Sequence, residues 1–316
     1  LTRPDSYVGS LEEETNKQWV LNDDKTKMIQ KDITHIPALN KIFDEILVNA
    51  IDQSSIDKTV DMIKVNIDND EITVINSGKG IPITMHETEN IYIPEMIFGE
   101  LLTSSNYDDT EKRTVGGRNG YGAKLANIFS EEFNLEVHDV DNQKKFTMTW
   151  NENMSKKTKA KVTKKTCTSG CVRITFKPDL EKFKLTKLSS DIISLFERRV
   201  YDACATTPER VSVYYNGKKL GFKNFEKYVD LYIGLKKDTM RVYDLHPRWS
   251  VCVCHSNDGY KCVSFVNGIS TSSGGTHVEH VTKNLVNKII DKALQKNSSS
   301  QIKASFVKEH MFVFVA

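Results

Sequence analysis

PALNKIFDEILVNAID, residues 37–52, carries two patterns at once. At ~100° per residue, Leu39, Ile42, Phe43, Ile46, Leu47 and Ala50 form one apolar stripe, which predicts an amphipathic helix. Pro37 suits its first position, where a missing N–H costs nothing. Glu45, Asn49 and Asp52, at i, i+4 and i+7, fall within roughly 60° of one another on the opposite side. A carboxylate one turn from a carboxamide can hold a water and a hard metal ion side by side. The second carboxylate then faces whatever lies beside them. A solvated helix face is the plainer reading of this row, and the helix taken alone favours it.

Outward from the helix, residues 1–32 read as irregular, with RPDSYVGS as a turn-rich segment. Downstream, Ile63, Val65 and Ile67 alternate, then Ile72 and Val74, which predicts a β-hairpin around a DND turn. It runs into Asn76-Ser77-Gly78-Lys79-Gly80-Ile81-Pro82, a glycine turn that no strand continues through. Residues 91–102 have helical apolar spacing and end in LLTSSNYDD. The densest glycine stretch follows, Gly116-Gly117-Arg118-Asn119-Gly120-Tyr121-Gly122-Ala123-Lys124, leading into LANIF. Strands are expected around 132–150 and 171–177, flanking a lysine run from Lys156 to Lys165 read as the solvated tip of a long hairpin. Leu188, Ile192, Leu195, Phe196 and Val200 mark a long helix, and Val211 to Gly217 a strand ending in an Asn-Gly hairpin signal.

After about residue 222 the texture changes, which predicts a second, smaller α/β domain over 223–316. It holds a short helix around Tyr228, strands at Trp249–Cys254 and Cys262–Val266 hinged at Asn257-Asp258-Gly259, and a helix starting at Gly274-Gly275. A last strand is expected to begin near Phe306.

The totals set bounds. A chain of 316 residues suits two domains, each able to bury a core. Hydrophobic residues at 39%, charged residues at 27% and a mean hydropathy of −0.44 describe a globular protein. No apolar run approaches the ~20 residues of a membrane span, and no signal peptide opens the sequence. Lys+Arg 44 against Asp+Glu 42 leaves a net charge of +2, which argues neither for nor against nucleic acid. Six cysteines show no CxxC spacing. Cys252-x-Cys254 with His255 offers a weak metal pattern, and ordinary reduced thiols are the expectation. The chain opens on Leu1 and stops at Ala316 inside MFVFVA, which reads as part of something longer.

Two glycine-rich turns in one domain suggest phosphate binding, because exposed backbone N–H groups attract anions. The common signatures fail. GxxxxGK[ST] nearly fits from Gly117 to Gly122, but Ala123 stands where the lysine must be, and GxGxxG lacks its third glycine at Gly78 and at Gly120. EILVNAID, NSGKGIP and GGRNGYGAKLANIF, in that order, resemble the nucleotide-binding boxes of the GHKL ATPases. More narrowly, they are similar to the ATPase region of eukaryotic-type DNA topoisomerase II. RPDSYVGS, KIFDEILVNA, LLTSSNYDD, RITFKPDL, SFVNGIS and GGTHVEHV fit that family as well.

The resemblance implies an α/β (α+β) fold: a Bergerat-type GHKL ATPase domain over 1–222, helices on a mixed sheet, followed by an α/β transducer domain over 223–316. It implies ATP and Mg²⁺ as cofactors, with Glu45 as general base and Asn49 as Mg²⁺ ligand. The ATP-binding set would also include Asp52, and Asn76 would accept a hydrogen bond from the adenine amino group. Ile81, Ile97 and Phe98 would line the adenine pocket, with Thr175 at its floor, and Ser104, Ser105 and Asn106 would meet ribose and phosphate. Arg118, Asn119, Gly120, Tyr121, Gly122, Ala123 and Lys124 would form a lid, with Lys124 neutralising the triphosphate. The implied partners are DNA, through the full enzyme, and a second copy of the chain on ATP binding, in the nucleus and without a membrane. Departures are present. Gln53-Ser54-Ser55-Ile56 replaces the family's basic segment, Thr276 stands for a basic residue, and Lys296-Asn297-Ser298-Ser299-Ser300 thins a lysine-rich tip. The family's Gln-Thr-Lys loop would lie beyond Ala316. Three alternatives are a GHKL chaperone or mismatch-repair clamp, a histidine kinase, and a catalytically dead DNA-binding module. GRNGYGAK and NYDD oppose the first, the lack of a preceding phospho-acceptor helix the second, and the intact Glu45 and Asn49 the third.

Overall fold

The computed structural model describes residues 5–100, 121–235, 237–297 and 301–316. They form two compact units, Leu1–Lys223 and Asn224–Ala316.

The first unit begins with a one-turn helix, α1 (Asp5–Val8), and a two-stranded hairpin of β1 (Glu14–Leu21) and β2 (Met28–His35). This hairpin corrects the irregular reading of residues 1–32. Most of its residues are exposed or half-buried and only Val20, Leu21, Met28, Ile33 and His35 are buried, so no alternation announces it. Val20 and Ile33 pack with Leu195 of the later helix α5. Next come α2 (Pro37–Ile56), β3 (Met62–Asp68), β4 (Glu71–Gly78), α3 (Ile93–Gly99) and α4 (Gly122–Ile128). The unit continues through β5 (Ser130–Asp139), β6 (Lys144–Asn151), β7 (Lys156–Lys157), β8 (Lys161–Lys164) and β9 (Gly170–Pro178). It closes with α5 (Ser190–Thr206), β10 (Ser212–Tyr215) and β11 (Lys218–Lys219).

These strands make one mixed sheet in the order β11-β10-β3-β4-β9-β5-β6-β7, with β8 also on β6. Only β10 and β3 pair parallel among its described strands. The lysine run is therefore not a hairpin tip: both of its short strands fold back along β6 and extend the sheet edge. Strand burial alternates, as in iBiBiBi along β6, so one face is apolar and carries the helices while the other is polar. The core lies between the apolar face and α2, α4 and α5.

The second unit contains α6 (Phe225–Ile233), β12 (Arg241–His246), β13 (Trp249–His255), β14 (Lys261–Val266), β15 (Ile269–Ser270), α7 (Thr276–Lys296), α8 (Ala304–Glu309) and β16 (Met311–Val315). Its sheet runs β12-β13-β16-β14-β15, with β16 central and parallel to β14. One expectation is corrected. The last strand begins at Met311, because Phe306 sits on the short helix α8, its ring 4.5 Å from that of His310 and tilted by 43°. The sequence also hid β12, whose edge residues Val242 and Leu245 are exposed. Cys252 and Cys254 are buried in the core rather than poised for metal, and burial pushes the Cys252 thiol up to about 12.

Candidate functional site

Helix α2 starts where Pro37 follows an extended Ile36, and it ends with the Asp57 N–H bonded to the Gln53 carbonyl at 2.8 Å. Its apolar stripe is fully buried, and Phe43 stacks on Phe196 of α5 at 4.2 Å between ring centroids. The remaining sides are nearly as covered: Val48, Ile51 and Asp52 are buried, and Arg199 of α5 reaches Asp44 at 2.6 Å. Desolvation works against the Arg199 charge, but Asp44 and Asp202 outweigh it and raise its pKa. The polar row is therefore solvated only in part: Asn49 is exposed, Glu45 half-buried and Asp52 buried. A carboxylate left in such a wall needs a partner or a purpose.

Glu45 keeps a side chain 19% exposed and ion-pairs with Lys41 one turn earlier. Gly122, the first residue of α4, lies directly against it. A Cβ added there would overlap the Glu45 carboxylate and stand 2.7 Å from its Cδ. Asn49, one turn beyond Glu45, is exposed, and Asp52 is buried near the helix end. Tyr121 caps α4 and packs on Tyr7, ring centroids 5.5 Å apart. Ala123 and Lys124 are buried, Lys124 at 0% exposure. Desolvation lowers the Lys124 pKa to about 8, against the opposing pull of Glu100. An anion arriving beside such an amine restores its charge.

The glycine turn after β4 is held from both ends. Asp57 Oδ2 accepts a 2.9 Å hydrogen bond from the Lys79 N–H, and Asp139 Oδ2 accepts one of 2.6 Å from the Ile83 N–H. Burial disfavours the Asp57 carboxylate, yet the Thr59 hydroxyl and the Lys79 and Thr59 N–H groups hold its pKa below the usual value. Gly78 (φ +134) and Gly80 (φ +83) occupy backbone that other residues rarely adopt. A Cβ on Gly80 would also strike the His138 carbonyl. Asn76 is buried on the helix-bearing face of β4; its amide donates to the Ser77 carbonyl at 3.0 Å, and its Oδ1 carries no hydrogen bond among the described residues. Ile81 and Ile97 are half-buried against the core, and Phe98 is buried in it. Asn127 of α4 donates to the Phe98 carbonyl at 3.0 Å, tying α3 to α4.

Glu45 of α2 and Gly122 of α4 thus meet directly, while Asn49 and Asp52 lie further along α2, Asn76 and Ile81 at the end of β4 and in its turn, Ile97 and Phe98 on α3, Tyr121 at the cap of α4, and Ala123 and Lys124 within it. Thr175 is not brought to them. It pairs in register with Thr73, their hydroxyls 3.0 Å apart, on the polar face of the sheet. The residue opposite Asn76 is Val172, three positions earlier and on the helix-bearing face. Strand alternation forbids Thr175 from sharing that side. Ser104, Ser105, Asn106, Arg118, Asn119 and Gly120 lie outside the described residues. Sequence reasoning missed Lys41, Asp57, Asp139 and Val172. Only Lys41, four residues before Glu45, left a readable signal.

Residues 34–182 match the family described as histidine kinase-, DNA gyrase B- and HSP90-like ATPases, and residues 216–316 match DNA gyrase B. DNA topoisomerase 2 of Arabidopsis thaliana is 46% identical over 100% of this chain, and that of Drosophila melanogaster is also 46% identical over 100% of it. The chain spans 22% of the length of each of these curated relatives. The crystal structure of the ATPase region of Saccharomyces cerevisiae topoisomerase II superposes with a TM-score of 0.92 at 45% identity, covering 99% of this chain and 82% of that one. The ATPase and transducer domains of DNA topoisomerase II from Balamuthia mandrillaris give 0.93 at 39% identity, covering 99% and 81%. The 43K ATPase domain of Thermus thermophilus gyrase B shares the fold, with a TM-score of 0.64 at 19% identity.

Proposed function

The chain belongs to the type II DNA topoisomerase family, within its ATPase region, and from that premise we propose that it binds ATP with Mg²⁺ and hydrolyses it to work a protein gate. The first unit is the GHKL ATP-binding domain and the second the transducer. The observation that carries the reading is the seat of Gly122 on the Glu45 carboxylate, with Asn49 one turn away. This side-chain-free approach lets a terminal phosphate reach the carboxylate without meeting a Cβ.

In this reading Asn76 Oδ1 accepts a hydrogen bond from the adenine amino group, and Ile81, Ile97 and Phe98 pack on the base. Glu45 takes the proton of the attacking water, and its ion pair with Lys41 fixes the direction of the carboxylate. Asn49 offers one neutral oxygen, which suits Mg²⁺, an ion that keeps several waters and takes its remaining ligands from phosphates. When bound, Mg²⁺ neutralises charge on the phosphate oxygens. Lys124 adds positive charge on the buried side. Two copies would close on ATP and trap a DNA duplex in the full enzyme, in the nucleus. The chaperone or mismatch-repair reading is not favoured, since the relatives matched along the whole chain are topoisomerases.

The experiment is Glu45→Gln. Turnover should fall by ~10²–10⁴-fold, the usual worth of a positioned base, while calorimetric ATP affinity stays within a few-fold. Turnover equal to wild type removes Glu45 from this role.

A further inference from the structure

The helices described for the first unit pack on one face of its sheet, and the other face has a regular chemistry of its own. Cross-strand register lines its residues into rows. One row crosses nearly the whole sheet: Lys219 on β11, Tyr214 on β10, Lys64 on β3, Ile75 on β4, Arg173 on β9, Glu136 on β5, Thr147 on β6 and Lys161 on β8. At ~4.8 Å per strand this row is about 34 Å long. Lys64 and Lys219 both lie over the Tyr214 ring, at 5.3 and 6.0 Å from its centroid. Arg173 and Lys161 are exposed.

The charge on this face is unevenly placed. The next row holds Cys171, His138, Lys145 and Thr163. Together the two rows set five cations against Glu136, a surplus of four positive charges, and Glu136 is itself bound by Lys145 at 2.7 Å and His138 at 2.9 Å. On the other side runs a neutral row of Thr73, Thr175, Asn134 and Thr149, linked by hydrogen bonds of 3.0 Å at one end and 2.6 Å at the other. None of the exposed large hydrophobic residues lies on these strands, which leaves a protein partner without an apolar anchor. Tyr214, the aromatic ring of the row, is covered by its lysines rather than open for base stacking, which disfavours single strands.

We infer that this face of the sheet, which the described helices of the first unit leave clear, binds double-stranded DNA through its phosphate backbone, without reading bases. A cationic row about one helical turn long, flanked by hydroxyl and amide groups, fits sequence-independent phosphate contact. Lys161 joins the row only because the lysine run folds back along β6. The face lies on the opposite side of the sheet from Asn76, so the inference stands apart from the nucleotide reading.

The test is fluorescence anisotropy of a labelled DNA duplex of about two helical turns, titrated with the whole chain at several salt concentrations. Arg173→Glu/Lys161→Glu and Lys64→Glu/Lys219→Glu should each weaken binding by roughly tenfold or more at low salt. Each pair should also flatten the log–log salt slope by about 0.9 per contact removed. Lys288→Glu/Lys292→Glu on α7 should change neither, and ATP affinity should be unaltered in all three variants, showing that they fold. Unchanged DNA affinity and slope in both sheet variants overturn the inference. So does tighter binding of a single strand of equal length.

Discussion

Helices α2 and α7 have nearly the same length, 20 and 21 residues, and opposite surroundings. Eleven residues of α2 are buried, spread around its circumference, whereas α7 buries four, Val278, Val281, Thr282 and Val286, along one side. On its open flank α7 borders a groove of about 660 Å³ with β12 and β13, lined by Tyr243, Trp249, Val251 and Leu285 among others. Amphipathic spacing finds both helices, yet it does not tell a helix that covers a sheet from one threaded through a core. The difference matters for chemistry. A polar side chain on α7 meets water at little cost, while Glu45 on α2 is held against a glycine and a lysine. That enclosure is what a positioned base requires.

The sharpest contrast comes from a pair of glycines. Gly122→Val should abolish ATP binding, since even a Cβ there overlaps the Glu45 carboxylate. Gly275→Val at the start of α7 should leave ATP affinity unchanged, although its φ of +150 strains the new residue. Calorimetric titration of the folded proteins decides, and equal affinities for wild type and Gly122→Val break the comparison. A smaller effect concerns packing. Leu47→Ala on α2, at 0% exposure, should cost about 2–5 kcal/mol in chemical denaturation. Leu294→Ala on α7, at 41% exposure, should stay within about 0.5 kcal/mol. Similar losses for both would show that α7 is enclosed too.

The smallest effect is a proton. Lys124 is held near a pKa of about 8, so at that pH a sizeable fraction of the amine is neutral before nucleotide arrives. An approaching phosphate raises the pKa again, so binding should take up roughly half a proton at pH 8 and far less at pH 6.5. Calorimetry in buffers of different ionisation enthalpy reads this directly. Lys124→Met should remove the uptake, and its persistence there would assign the proton elsewhere.

Much of this architecture was legible because apolar spacing and glycine punctuation are local signals. Pro37 marked the start of α2, and the NSGKGIP turn followed from its glycines. The end of α2 was not legible. The spacing carries the helix only to Asp52, but α2 runs on to Ile56, where Ser54 is buried and returns its hydroxyl to the Ile51 carbonyl at 2.6 Å. Thr175 was misplaced because resemblance supplies a residue type while pleating decides its face, and register put Val172 opposite Asn76 instead. Asp57 and Asp139 anchor the glycine turn from distant positions, which spacing cannot reveal. The lysine run was legible as charge but not as strand, because its pairing with β6 is a tertiary fact.

The central claim is that one pocket brings Glu45, Asn49, Asn76 and Gly122 to a single nucleotide. A crystal structure of the chain with Mg²⁺ and a non-hydrolysable ATP analogue tests it most directly. The account predicts the adenine amino group at hydrogen-bond distance from Asn76 Oδ1, Mg²⁺ on Asn49, and the terminal phosphate beside Gly122 with a water between it and Glu45. An analogue bound elsewhere, or bound with its phosphates turned away from α2, would contradict it.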